Sequence, residues 1–162
     1  MTVLTLDELL AWTEEERGKW EVWFATHPEA LKITLKGDRF GTVAGLVGHI
    51  FEAEQRQTHR LAGSPVPDRK DPTGGSTPEL FAAGKQARAF FRQSMSLLDP
   101  TDWTSDLTFE TTGGAITVTK RKLALHLALH EIRHWAQIAR TVREHDLAPP
   151  GKHDLMFSAV VK

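Results

Sequence analysis

Three histidines spaced four residues apart lie between Lys122 and Asp146, and this stretch constrains the fold more than any other part of the chain. On an α-helix, His126, His130 and His134 fall on one face, because residues at i and i+4 stack one turn apart. Four charged side chains of the stretch cluster to the other side of this ladder, namely Lys122, Arg133, Arg140 and Glu144. The stretch therefore predicts an amphipathic helix whose histidines lie on the core side.

Histidines in this arrangement indicate a metal site. A buried imidazole needs a partner for each ring nitrogen, and a metal ion supplies one of them. A lone core histidine is more often bonded to a carbonyl group or to water, whereas histidines stacked one turn apart are typical of metal ligands. We therefore interpret this helix as one wall of a metal site.

Residues 130–134 also match the pattern H-E-x-x-H, in which two histidines bind zinc and the glutamate, here Glu131, activates a water molecule. A zinc protease of this kind needs a further ligand well downstream of His134, where only a short tail follows. The metzincin extension fails as well, because Gln137 stands where it requires glycine. The protease interpretation is therefore disfavoured, and His49, on a separate predicted core helix, is the other candidate for a third ligand.

Composition limits the function classes that such a helix can serve. The 162 residues, 40% of them hydrophobic, are enough for one domain spanning residues 1–162. Twenty basic and twenty-one acidic side chains give a net charge of −1, which disfavours partners such as nucleic acid or an anionic membrane. No apolar run approaches the ~18 to 20 residues of a membrane span. Because the N-terminus is acidic rather than a basic signal segment, we expect a cytoplasmic protein.

The chain contains no cysteine, which restricts its chemistry further. It can offer neither a thiolate ligand nor a cysteine nucleophile, so a metal ion must be held by nitrogen and oxygen atoms. Any thiol chemistry must therefore use a thiol that arrives as a substrate.

Three more helices and a hairpin are predicted upstream of the histidine helix. Thr5 and Glu8 form a capping box for the first helix, and Thr77-Pro78-Glu79 reads as the cap and first turn of the third. The predicted elements are helix one from Thr5 to Thr26, helix two from Thr42 to Ala62, helix three from Thr77 to Leu98, and a hairpin in residues 108–119. Residues 63–77 form a long loop between helices two and three. Together these elements predict an all-α four-helix bundle with a long crossover between helices two and three and a short β-hairpin before helix four.

In their order and spacing, several of these motifs resemble the DinB-like proteins, also called the damage-inducible or bacillithiol-transferase-like superfamily. The resemblance covers nearly the whole chain. It rests on His49 followed by an acidic-aromatic run, the glycine-bearing hairpin, H-x-x-x-H with Gln137 three residues later, and a proline-then-Asp-Leu tail in residues 149–157. Where the family commonly has H-R-G-Q, residues 134–137 read H-W-A-Q.

The resemblance implies a divalent metal ion bound by His49, His130 and His134. Zinc or nickel is expected, with iron or manganese as alternatives, because imidazole suits several ions. Characterised members of the family use low-molecular-weight thiols such as bacillithiol, mycothiol or glutathione. We therefore expect a metal-dependent, thiol-dependent transferase acting on small electrophilic molecules. The alternatives are a metal-binding stress- or damage-response protein without turnover and a metal-dependent hydrolase.

Glu131 and the oligomeric state are the remaining expectations. Glu131 lies on the flank away from the charged stripe, so its carboxylate is expected to be partly buried, with solvation as the alternative. A buried Glu131 would bond an imidazole N–H of a metal ligand or a donor across a subunit interface, or would act as a base on metal-bound water. His126 is interpreted as an outer partner of the ligands or a core residue. A homodimer is expected from the resemblance and from Trp23 and Trp135, which lie near stripe borders where an interface could cover them, with burial in the core as the alternative.

Overall fold

Four helices and one two-stranded hairpin form the described part of the chain, residues 4–68, 75–111 and 113–161 of a computed structural model. The helices are α1 (Leu6–Thr26), α2 (Val43–Leu61), α3 (Thr77–Ser96) and α4 (Lys120–Arg143), and the antiparallel strands are β1 (Asp106–Thr111) and β2 (Gly114–Thr119). The predicted all-α architecture with a hairpin before the last helix is confirmed. Within the described ranges, no helix combines the length and the apolarity needed to cross a bilayer.

Side-chain hydrogen bonds cap the N-terminal ends of the helices, as the sequence predicts for α1. The amide of Glu8 donates to the hydroxyl of Thr5 at 3.1 Å, and the amide of Thr5 donates to the carboxylate of Glu8 at 2.7 Å. The predicted cap of α3 is wrong by one residue. Ser76 is the cap because it stands three residues before Glu79, whose carboxylate accepts from the Ser76 amide at 2.9 Å. The tail, predicted as coil, contains a short 3-10 turn at Leu155–Phe157.

The core lies where the apolar stripes of the helices meet. It includes Trp23 and Trp135, the two tryptophans that an interface was expected to cover. Trp135 is 2% exposed and Trp23 is 8% exposed. Trp135 stacks against Trp20 of α1 and Phe81 of α3, with ring centroids 5.5 and 6.3 Å apart. Packing within the chain therefore accounts for both side chains, and the prediction that an interface covers them is wrong.

One buried ionic network joins all four helices. Its members, one from each helix in order, are Arg17, Glu54, Arg88 and Glu131. Each guanidinium contacts both carboxylates, at N···O distances of 2.6 to 2.9 Å. Burial alone would lower the pKa of Arg17, but Glu131 and Glu54 raise it above its ordinary value, so this arginine stays charged. The network ties the helices together at a point where a missing partner would leave a buried charge.

Candidate metal centre

Two helices bring three histidines to one point. His49 lies on α2, and His130 and His134 lie one turn apart on α4. Phe40, in the segment before α2, stacks on the His49 ring with centroids 4.2 Å apart and meets the His134 ring edge-on at 5.9 Å. His49 and His134 are each 6% exposed, so the site is walled by protein on at least two sides.

The three imidazoles present their Nε2 atoms to one another. The Nε2 of His130 lies 3.3 Å from that of His49 and 3.1 Å from that of His134. The candidate ligand atoms of all three residues lie within 4.8 Å of one another. Zinc–nitrogen bonds of about 2.0–2.1 Å in tetrahedral geometry would place neighbouring ligand nitrogens about 3.3–3.4 Å apart. Donor type and spacing therefore both fit a divalent metal ion.

A chain of hydrogen bonds fixes the orientation of one of these rings. The carboxylate of Asp38 can only accept, so the amide nitrogen of Gln137, 2.7 Å away, must donate to it. The amide oxygen of Gln137 then faces Nδ1 of His134 at 3.1 Å, and Nδ1 must carry the proton. The Nε2 of neutral His134 is therefore a lone-pair donor directed into the cluster, which is the tautomer that a metal ion requires.

Burial keeps two of the three clustered histidines uncharged at neutral pH. Burial, followed by the nearby His134 and His49, lowers the pKa of His130 to about 3. Burial also lowers the pKa of His134, against the opposing effect of its bond to Gln137. At neutral pH His130 and His134 therefore offer neutral nitrogen atoms to a cation.

His126 does not belong to this cluster. Its ring centroid lies 5.5 Å from that of His130, but its side chain is exposed, and the prediction that it faces the core is wrong. It stands in the second turn of α4, where the helix borders a cavity of about 490 Å³ that His49 and His130 also line. The histidine ladder therefore runs from solvent at His126 to the interior at His134.

Glu131 is buried, as predicted, but its partners differ from both of those expected. Its Oε1 accepts from Nε of Arg17 at 2.6 Å and from the indole of Trp135 at 3.0 Å, and its Oε2 accepts from Arg17 and Arg88. Two arginines of the same chain, Arg17 on α1 and Arg88 on α3, thus take the place of an imidazole or a donor from another subunit. The carboxylate is held by the helix-joining network.

Three of the four remaining histidines illustrate separate surroundings, and the fourth, His145, bonds the carbonyl of Thr141 at 3.0 Å. His27 stacks on Trp23 at 4.5 Å, and His59 bonds the hydroxyl of Ser64 through Nδ1 at 2.8 Å. His153, in the tail, contacts the buried carboxylate of Glu16 at 2.5 Å. These residues serve as controls for the three clustered ones.

Comparison with known proteins identifies the family. Residues 13–138 match the sequence profile of the DinB superfamily. The chain belongs to the DinB superfamily. The structure is also similar to the crystal structure of a DinB-like protein from Bacillus subtilis, with a TM-score of 0.61 and 17% identity over 92% of this chain and 96% of that one. That likeness supports the shared fold. No protein with a curated description matches this DinB-superfamily chain.

Sequence reasoning missed the residues that support the cluster from outside α4. Asp38 and Phe40 lie in the irregular segment before α2, where no periodicity predicts which side chains turn inward. Gln137 carried a signal, because it lies on the same helix face as His130 and His134. Its role became evident only with Asp38 beside it.

Proposed function

We propose that this DinB-superfamily protein is a cytoplasmic, single-domain, metal-dependent enzyme that transfers low-molecular-weight thiols to small electrophilic molecules. Its metal ligands would be His49, His130 and His134, with zinc or nickel as the favoured ions and iron or manganese as alternatives. The observation that carries the proposal is the convergence of three Nε2 atoms, with separations of 3.1 and 3.3 Å, beside an open cavity.

The ligand set favours a reactive site over a closed structural one. Three protein ligands leave at least one coordination position open, whereas structural zinc sites fill all four. When bound, a divalent ion would supply positive charge that favours the thiolate form of a substrate thiol. The histidines hold that charge at the cavity wall, and Gln137 keeps His134 in the ligating tautomer. The substrate must supply the sulfur, because the chain has no cysteine.

A hydrolase of the H-E-x-x-H type has less support. Such an enzyme needs the glutamate as a base beside metal-bound water. Both oxygens of Glu131 accept hydrogen bonds from guanidinium groups, and one also accepts from Trp135. A carboxylate that is engaged in this way and buried at 3% exposure has no capacity left for activating water.

Thiol consumption by the metal-loaded protein tests the proposal. Zinc- or nickel-loaded protein is incubated with bacillithiol, mycothiol or glutathione and a generic electrophile such as 1-chloro-2,4-dinitrobenzene. We expect thiol loss above the uncatalysed rate, abolished in His49→Ala and retained in His59→Ala, whose ring bonds Ser64 instead. Full metal loading without any thiol consumption would instead support the metal-binding stress-response alternative.

We also propose a homodimer, as the family resemblance implies. Sedimentation equilibrium at micromolar concentration should give twice the 18.1 kDa of one chain. A mass equal to one chain would reject the dimer.

A further inference from the structure

Three arginines line the same cavity of about 490 Å³ as His49 and His130. They are Arg39, from the segment before α2, and Arg56 and Arg60, from the last two turns of α2. The cavity volume is in the range of ~300–1,000 Å³ typical of small-molecule sites. We call this space the arginine cavity.

Each of these guanidinium groups is held by neutral partners. Arg60 donates to the side-chain oxygen of Gln57 at 3.0 Å and lies over the Phe109 ring, 4.6 Å from its centroid. Arg39 lies over the Phe40 ring at 4.8 Å, and Arg56 donates to the carbonyl of Pro67. Stacking and carbonyl bonds fix a guanidinium without neutralising its charge. All three arginines therefore retain donors and a full positive charge.

Arginines that join the helices are neutralised by carboxylates. Arg17 contacts two carboxylates and Arg88 contacts three, and the exposed Arg92 is paired with Glu14 at 2.8 Å. Arginines that hold helices together therefore have carboxylate partners. Among the described residues, the three cavity arginines have none within ion-pair distance.

Electrostatics within the cavity favour an anion. Burial lowers the pKa of Arg60, and the charge of Arg56 one turn away lowers it further, so the two cations repel each other. Glu52 and Glu110 also line the cavity, but the three guanidinium groups outnumber them. An anionic group placed between the arginines would relieve this repulsion and accept several charge-assisted hydrogen bonds.

We propose that the arginine cavity is an anion-binding subsite that holds a carboxylate or phosphate group of the substrate while its reactive end meets the histidine cluster. Guanidinium groups match both anions in a bidentate geometry. His49 and His130 line the same space, so one small molecule could reach both sites. The assignment of the reactive end rests on the proposed thiol function, whereas the anion subsite itself does not.

Matched thiols test the subsite in the zinc-loaded full-length protein. Calorimetry compares 3-mercaptopropionate with its neutral amide, 3-mercaptopropionamide. We expect the acid to bind about tenfold more tightly, as one charge-assisted pair of hydrogen bonds provides. The ratio should fall to near unity in the double variant Arg56→Gln/Arg60→Gln and persist in Arg143→Gln, an exposed arginine at the end of α4.

Two results of that comparison would overturn the subsite. In one, acid and amide bind wild-type protein equally well, which would leave the thiol function intact. In the other, the preference for the acid survives in the double variant, which would place the carboxylate on the metal ion.

If neither thiol binds, the thiol function fails, and a second arm decides the subsite alone. Inorganic phosphate and acetate are titrated separately into the metal-free full-length chain while the arginine side-chain Nε signals are followed by ¹⁵N NMR. Saturable shifts at Arg56 and Arg60, without shifts at Arg143, support the subsite. A stronger response to phosphate assigns a phosphate-bearing substrate, and a stronger response to acetate assigns a carboxylate. Absence of saturable shifts with both anions would refute the subsite.

Discussion

Replacing Glu131 with glutamine tests whether the buried ionic network holds the four helices together. The carboxylate is 3% exposed and accepts hydrogen bonds from Arg17, Arg88 and Trp135. An amide of the same shape keeps one acceptor oxygen but directs an NH2 group at a guanidinium donor. The two arginines would then share Glu54 as their one remaining buried carboxylate, with only the partly exposed Glu14 beside Arg88 at 3.3 Å, so part of the buried positive charge would be uncompensated.

The expected loss of stability follows from the burial of all four charged side chains of the network. Removing one partner from a buried ion pair costs about 3–5 kcal/mol, because the remaining charge stays desolvated. Domains are stable by only about 5–15 kcal/mol, so the loss is a large share of the total. In a chain of this length each kcal/mol lowers the melting temperature by about 2–4 °C, which gives an expected drop of roughly 6–20 °C.

Thermal unfolding followed by circular dichroism measures this drop, with Glu144→Gln as the matched control. Glu144 lies just after α4 and pairs with Arg140 at 2.8 Å, but both side chains are more than half exposed. Its substitution should change stability by less than about 0.5 kcal/mol. The folded Glu131→Gln protein should keep its metal. A melting temperature within about 2 °C of wild type, together with lost metal, would refute the network role and place Glu131 at the metal centre.

Three further predictions concern packing, orientation and pH. Gly84→Ala should lower the free energy of unfolding in urea by about 1–3 kcal/mol, because the added Cβ would lie 2.7 Å from the buried ring of Phe51. In the control Gly18→Ala, no atom lies within 4 Å of the added Cβ, and the free energy of unfolding should rise by up to about 1 kcal/mol. Gln137→Met should weaken metal affinity about 10- to 100-fold in competition with a chelator, and an unchanged affinity would refute the orienting role. Metal-free protein should lose stability as the pH falls from 6.5 towards 3. In this range His130 is protonated in the unfolded chain but not in the fold, where its pKa is lowered to about 3, so proton binding favours unfolding. The loss should be shallower in His130→Gln, and an equal slope would contradict this assignment.

Local signals in the sequence were enough to predict the elements. Capping residues and apolar periodicity placed the helices within one or two residues, because both are short-range properties of the chain. The spacing of His130 and His134 likewise predicted that their nitrogens could meet, since both lie on one helix. The same spacing misplaced His126, because periodicity shows which face a residue lies on but not where the neighbouring helices stop covering that face.

Long-range packing decided what could not be predicted. Arg17, Glu54 and Arg88 look like ordinary surface charges in their own helices, and they become buried only where the four helices meet. The partners of Glu131 were therefore mispredicted even though its burial was expected. His49 lies eighty-one positions before His130, so no local pattern in the sequence places the two side chains together. Only the resemblance to the family predicted that both bind one metal ion.

Metal content measured by elemental analysis of untagged protein tests the central claim most directly. The account predicts one divalent ion per chain in wild type and in His59→Ala. It predicts under half of that content in His49→Ala and none in the variant lacking His49, His130 and His134. Full metal content in His49→Ala would contradict a site built between α2 and α4 and would return the assignment to the H-E-x-x-H pair of a single helix.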